Sequence, residues 1–333
     1  MSIQNGKRPS GLVRSLVPTA VAVLALASAL ASSAQAQDKV TAGTIGSPSA
    51  NLWPLLIGIE KGFFVEQKIA LDMIYIQSSA QVVQQLAAGS LNFVTSTGLV
   101  DPIRAIEKGA DIALVRIDVQ SPPYALVAKG SIKSLKELAG KTISIGGPKD
   151  ITRIFVERML APSGIKSGQF DTVYAGATSA RAQALLSGAV DAAILLPPFN
   201  FQAVSAGFSD LGNTVDFAGE LPFSGAAVNI AWAKANPDAL KRTLAAMSKS
   251  VAWFEDDKNR AEAVALLVKA SKLGAVEVEK SYDFFHKGRF FESTGTISRK
   301  RLSALISALV ELGDIQKVEI EKLVLPGGAQ IVD

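Results

Sequence analysis

Cysteine is absent from this chain, and histidine occurs once, at His286. The first absence excludes disulfides, thiolate nucleophiles, iron–sulfur clusters and cysteine-ligated zinc. The second leaves no histidine pair for a metal and one imidazole for any triad. An excess of charge is missing too. The chain has 34 Lys and Arg against 30 Asp and Glu, and its first 36 residues hold Lys7, Arg8 and Arg14 with no acid, so the remainder is nearly neutral. Such a balance offers no electrostatic footprint for a polyanion and argues against nucleic-acid binding. Nucleotide motifs are also wanting: no G-x-x-x-x-G-K-[ST] occurs, and GTIGSPSA lacks the G-x-G-x-x-G spacing.

What is present begins with a leader. Residues 1–14 are basic, Leu16 to Ala31 form a short Ala/Leu/Val-rich run broken by Pro18, and Ala34-Gln35-Ala36 is a small-x-small cleavage pattern. This predicts a signal peptide over residues 1–36 and a mature chain starting near Gln37. The run is too short and Ala/Ser-rich to span a bilayer, and with no cysteine after it a lipid anchor cannot form. The expected compartment is extracytoplasmic, the periplasm in a bacterium with two membranes.

Beyond the leader, apolar runs alternate with amphipathic stretches, as in Val40 to Gly46, Asn51 to Lys61, Leu71 to Ile76 and Ala80 to Ala88. That order predicts an α/β fold built on mainly parallel sheets flanked by helices. The pattern recurs at an offset of 99 residues: QLAAGSLNFVT is echoed by ALLSGAVDAAI, and Ile74-Tyr75 by Val173-Tyr174. Each echo is a helix ending at a glycine suited to a left-handed cap, then a polar turn and a buried strand. Two lobes of like architecture are therefore expected, residues 37–123 with 232–333 forming lobe 1 and residues 124–231 lobe 2. The chain is expected to cross between them near Tyr124 and near Ala231. The helices after Asn236-Pro237-Asp238 are expected to cover lobe 1.

Strand, polar turn, helix is an order that puts backbone N–H groups and hydroxyls at the carboxyl edge of each sheet. The turns of lobe 1 nominate Ser47, Ser49, Asn51, Ser78, Ser79 and Thr97 as ligand-binding residues. Those of lobe 2 nominate Lys149, Asp150, Thr152, Thr178 and Pro198. Any one of these hydroxyls serves equally well as a helix cap, and it is their convergence at one edge that points to a ligand. Lys149 is the candidate counter-charge for an anion. Trp53, just inside the first helix, reads as core, with the cleft wall as the alternative, and His286 as structural. Neither a metal nor an organic cofactor is expected.

Several segments resemble a known family. Gly58-Ile59-Glu60-Lys61-Gly62-Phe63-Phe64, Leu86-Ala87-Ala88-Gly89, Ala125 to Lys129, Ile132 to Lys141 and Leu186 to Ala193 are similar to the nitrate/sulfonate/taurine-type substrate-binding proteins of ABC transporters. These share the fold of the thiamine-pyrimidine-synthesis proteins. The resemblance spans roughly residues 40 to 255. It implies a two-lobed type II periplasmic-binding-protein fold with two crossover strands, and delivery of a small solute to a membrane permease. The enzyme branch of that fold uses a cysteine-rich motif and a histidine, and this chain has no cysteine.

The expectation is thus a monomeric, non-enzymatic receptor for a small polar or anionic organic solute of sulfonate or carboxylate type, handing it to an ABC permease. A sensor, or an extracytoplasmic enzyme using Asp150 or Asp191, stands as the alternative.

Overall fold

Residues 1, 2, 6, 37–46 and 49–333 are described by the structure, a computed structural model. The signal peptide expected over residues 1–36 therefore lies almost wholly outside the described residues, and Ser47 lies outside them too. From Gln37 to Asp333 the chain forms one unit, built on two five-stranded sheets.

The first sheet takes β1 (Asp38–Ile45), β2 (Ile69–Ile76), β3 (Phe93–Gly98) and β4 (Ile112–Val119). The chain then makes a second sheet from β5 (Ala125–Ala128), β6 (Thr142–Ile145), β7 (Asp171–Tyr174), β8 (Ala192–Leu195) and β9 (Ser209–Asn213), and returns as β10 (Ser224–Asn229). The spatial orders are β2-β1-β3-β10-β4 and β7-β6-β8-β5-β9. In each sheet a single antiparallel strand, β10 or β5, enters from the other half of the chain. The remaining strands run parallel, and several are buried along their whole length because helices cover both faces. All eight residues of β4 are buried, for example.

Helices of seven or more residues are α1 (Trp53–Glu60), α2 (Ser79–Ala87), α3 (Val100–Glu107), α4 (Ile151–Leu160), α5 (Thr178–Leu186) and α6 (Phe199–Ser205), followed by α7 (Pro237–Glu255), α8 (Arg260–Ser271), α9 (Ala275–Lys287) and α10 (Arg299–Glu311). Helices α2 and α5 start 99 residues apart, as do α3 and α6. The duplication read from the sequence is thus one of helix and strand order. None of the described helices is long and apolar enough to cross a membrane.

Two connections join the sheets, residues 120–124 and residues 214–223. The return to the first sheet thus precedes Ser224, upstream of the crossing expected near Ala231. The reason is pairing: β10 is hydrogen-bonded to β3 on one side and β4 on the other, which fixes it as a central strand. The two connections are tied together. Thr214 Oγ1 donates to the Pro122 carbonyl at 2.7 Å and accepts from the Tyr124 N–H at 3.1 Å. Arg301, on α10, donates from Nη1 to the carbonyls of Gln120 at 2.8 Å and Gly219 at 2.6 Å.

Trp53 is fully buried in the core, which settles its role as packing. Helices α7 and α8 pack on α1, and α9 also reaches α6, with the rings of Phe284 and Phe201 6.2 Å apart. His286 Nε2 lies 3.0 Å from the Glu255 carbonyl and its ring stacks on Tyr282, a structural setting.

Candidate functional site

The carboxyl ends of β1, β2 and β3 face those of β6, β7 and β8, and the turns leaving them enclose a cavity of about 300 Å³. Small ligands commonly occupy cavities of roughly 300 to 1,000 Å³. Ser49, Asn51, Ser78 and Ser79 line it from the first sheet, and Lys149, Asp150 and Thr178 from the second. Seven of the residues nominated by sequence therefore converge.

Three do not. Thr97 is fully buried, and its hydroxyl turns back to the Thr95 carbonyl at 3.3 Å; strand alternation presents its neighbours Ser96 and Gly98 to the cavity instead. The Thr152 hydroxyl donates to Asp150 Oδ1 at 2.5 Å and accepts from the Gly146 N–H at 2.9 Å, so it shapes the turn behind the wall. Pro198 precedes α6, and Leu196 takes the place at the cavity.

Two helix N-termini meet this space. Ser78 is the N-cap residue of α2 and Ala177 that of α5, and neither helix end has a side-chain cap hydrogen bond. Such ends present unpaired N–H groups and the positive end of the helix dipole. By contrast Asp150 caps α4, accepting from the Thr152 N–H at 2.9 Å.

One buried cation of the cavity lies outside the nominated residues. Arg181 on α5 lines the cavity and is only 3% exposed. Its Nε donates to the Ile194 carbonyl at 2.8 Å, Nη1 to the Gly176 carbonyl at 2.7 Å and Nη2 to Thr178 Oγ1 at 2.6 Å. Tyr124 stands against the guanidinium, 5.6 Å from carbon to ring centroid, and burial pushes its phenol pKa up while Arg181 opposes that rise. None of the ion pairs among the described residues involves Arg181. A buried cation with polar but no anionic partners is costly, and a bound anion relieves that cost. The signal available was spacing: Thr178 and Arg181, three residues apart at a helix start, share one face.

Arg104 also lines the cavity, but it is engaged, with Nη1 2.7 Å from Asp101 Oδ1 and Nη2 3.4 Å from Asp314 Oδ2. Burial holds the Asp101 carboxyl above its ordinary range; the Ser79 hydroxyl and Arg104 pull it down, and the Asp150 charge pushes it further up. Lys149 is exposed at the rim. Tyr124 and Phe223, from the two connections, close the cavity with an edge-to-face contact at 5.0 Å. No motif marks them, since their place depends on both connections passing behind the cavity. Among the described residues no group of three or more His, Asp or Glu is placed to hold a metal ion.

Comparison with known proteins supplies a frame for this geometry. Residues 49–261 match the family model described as NMT1/THI5 like. No curated protein sequence matches the chain. Among solved structures, the alkanesulfonate-binding protein SsuA of Xanthomonas axonopodis pv. citri, bound to MOPS, superposes with a TM-score of 0.71 at 16% identity, covering 89% of this chain and 100% of that one. The periplasmic aliphatic sulphonate binding protein SsuA of Escherichia coli gives 0.67 at 20% identity, covering 89% and 94%. The desulfurization enzyme DSZB gives 0.64 at 15% identity, covering 86% and 96%. At such identities the likeness establishes the fold, that of the periplasmic binding proteins.

Proposed function

Because the chain belongs to the NMT1/THI5-like family, we propose that it is an extracytoplasmic solute-binding protein that captures a small anionic organic molecule between its two lobes and delivers it to an ABC importer. One observation carries this reading: a buried guanidinium without a carboxylate, Arg181, lies in the same cavity as the side-chain-uncapped N-termini of α2 and α5. Together these provide a fixed cation and two sets of N–H donors, the arrangement that receives a sulfonate or carboxylate. Tyr124, Phe223 and Leu196 supply apolar wall for the organic part.

Lobe 1 comprises the first sheet and the C-terminal helices, lobe 2 the second sheet, and the connections at residues 120–124 and 214–223 act as the hinge. Solute closes the cleft to the extent that it binds the closed form better than the open one. The two cavity carboxylates are not offered as an acid–base pair. Asp101 is held by Arg104, and Asp150 caps α4 through the Thr152 N–H. The proposed working form is a monomer, exported by its leader and serving transport.

A thermal-shift screen of refolded, solute-free protein tests the reading. The panel contains alkanesulfonates, aromatic and aliphatic carboxylates, nitrate, pyrimidines and, as cations, alkylamines. A compound at about 100 times its Kd adds roughly 2.7 kcal/mol of stability. Stabilisation by sulfonates or carboxylates is expected, and stabilisation by the amines alone would overturn the anion assignment.

A further inference from the structure

The two lobes interlock through glycine. The turn after β7, Ala175 to Ala177, meets the turns that follow β1 and β2 on the first sheet. A Cβ at Gly176 would stand 2.6 Å from the carbonyl oxygen of Gln77, and one at Gly46 would stand 3.0 Å from Cβ of Ala177. A third contact repeats the device, since a Cβ at Gly98 would stand 3.3 Å from Cγ2 of Ile151. Hydrogen bonds cross the same boundary: Ala50 N–H donates to the Pro197 carbonyl at 2.9 Å, and Arg104 Nη2 to the Lys149 carbonyl at 3.0 Å. Real Cβ atoms essentially never come within 3.0 Å of another heavy atom. The backbone approach at Gly176 therefore exists only because that side chain is missing.

The same residue reaches the cavity. Its carbonyl accepts the 2.7 Å hydrogen bond from Arg181 Nη1, so the cation of the site and this close inter-lobe approach share one turn. We propose that Gly176 is the closure stop of this protein: the depth to which the cleft shuts is set by its backbone meeting Gln77, and a side chain there holds the lobes apart. The proposal rests on the reading of the cleft as a solute site and adds to it the residue that limits closure.

The test needs no solute. The chain lacks cysteine, so Gly46→Cys with Ala177→Cys gives a single reporter pair, its β-carbons 3.0 Å apart against the roughly 3.5 to 4.5 Å of disulfides, so that the bond forms after the two turns part by about half an ångström. The parent pair should cross-link under mild oxidant. Gly176→Ala should slow cross-linking at least tenfold and raise the radius of gyration measured by small-angle scattering. Gly140→Ala is the control, because Gly140 has a φ of +69°, against +65° at Gly176, but nothing within 4 Å of its Cβ position. It should cross-link like the parent. Gly98→Val, free of left-handed backbone strain, should slow the reaction as Gly176→Ala does and serves if the latter fails to fold. Equal rates in Gly98→Val and the parent would overturn the proposal, as would equal rates in Gly176→Ala and Gly140→Ala or a parent that does not cross-link. A wrong solute assignment would leave all these rates unchanged.

Discussion

Arg301→Met should loosen the joint between the two connections. Arg301 is half-buried, and its Nη1 spans the carbonyls of Gln120 and Gly219, one from each connection. Methionine keeps the apolar stem and removes both hydrogen bonds. Each bond from a charged donor is worth about 1.5 to 3 kcal/mol, and water reaching a half-buried site recovers part of that, so a net loss of about 2 to 3 kcal/mol follows. For a unit running from Gln37 to Asp333, an unfolding entropy of about 2.1 cal/mol/K per residue makes a loss of 1 kcal/mol lower Tm by roughly 1.5 °C. Scanning calorimetry should then show a Tm lower by about 3 to 5 °C, with Arg301→Lys intermediate because one ammonium reaches one carbonyl well. A Tm within 1 °C of the parent, at equal helix content, would refute the claim that Arg301 binds the two connections together.

Other expectations follow from the cavity and its surroundings. Arg181→Met should weaken a sulfonate or carboxylate found by the screen about a hundredfold, equivalent to about 2.7 kcal/mol, in calorimetric titration. Thr178→Ala should weaken it about tenfold, whereas Thr97→Ala, whose hydroxyl points away, should leave affinity unchanged. The Asp191 pKa is lowered, first by its bond from Lys129 and then by the Thr142 N–H. A depressed carboxyl contributes stability that is present above its unfolded pKa of about 4 and is lost as pH falls through the folded value. Asp191→Asn should therefore flatten the acid limb of a Tm-against-pH profile below about pH 4. Phe155→Ala, which removes a fully buried ring packed against Tyr124 and Phe223, should cost about 3 to 5 kcal/mol in denaturant unfolding.

Much of the fold was legible because it is written in periodicities. The 99-residue echo gave α2 and α5 their matching starts, and the polar turns preceding them brought Ser78 and Thr178 to one cavity. Where sequence reasoning missed, the missing information was three-dimensional. The residues of β10 carry no mark of the sheet they join, and only their pairing with β3 and β4 shows that the return to the first sheet has already occurred. Thr97 and Thr152 are hydroxyls in the right turns, yet strand alternation and a local hydrogen bond to Asp150 turn them away. Arg181, one turn into α5, lies beyond the nominated turns. Its burial follows from three acceptors, two of which, the carbonyls of Gly176 and Ile194, belong to segments outside its own helix.

The most direct test of the account is a crystal structure of refolded, solute-free protein soaked with the sulfonate or carboxylate that stabilises it most. The account predicts density in the cavity between the sheets, with the acidic oxygens within hydrogen-bonding distance of Arg181 or of the N–H groups that begin α2 and α5. Density outside this cavity, or an acidic group turned away from Arg181 and both helix ends, would contradict it.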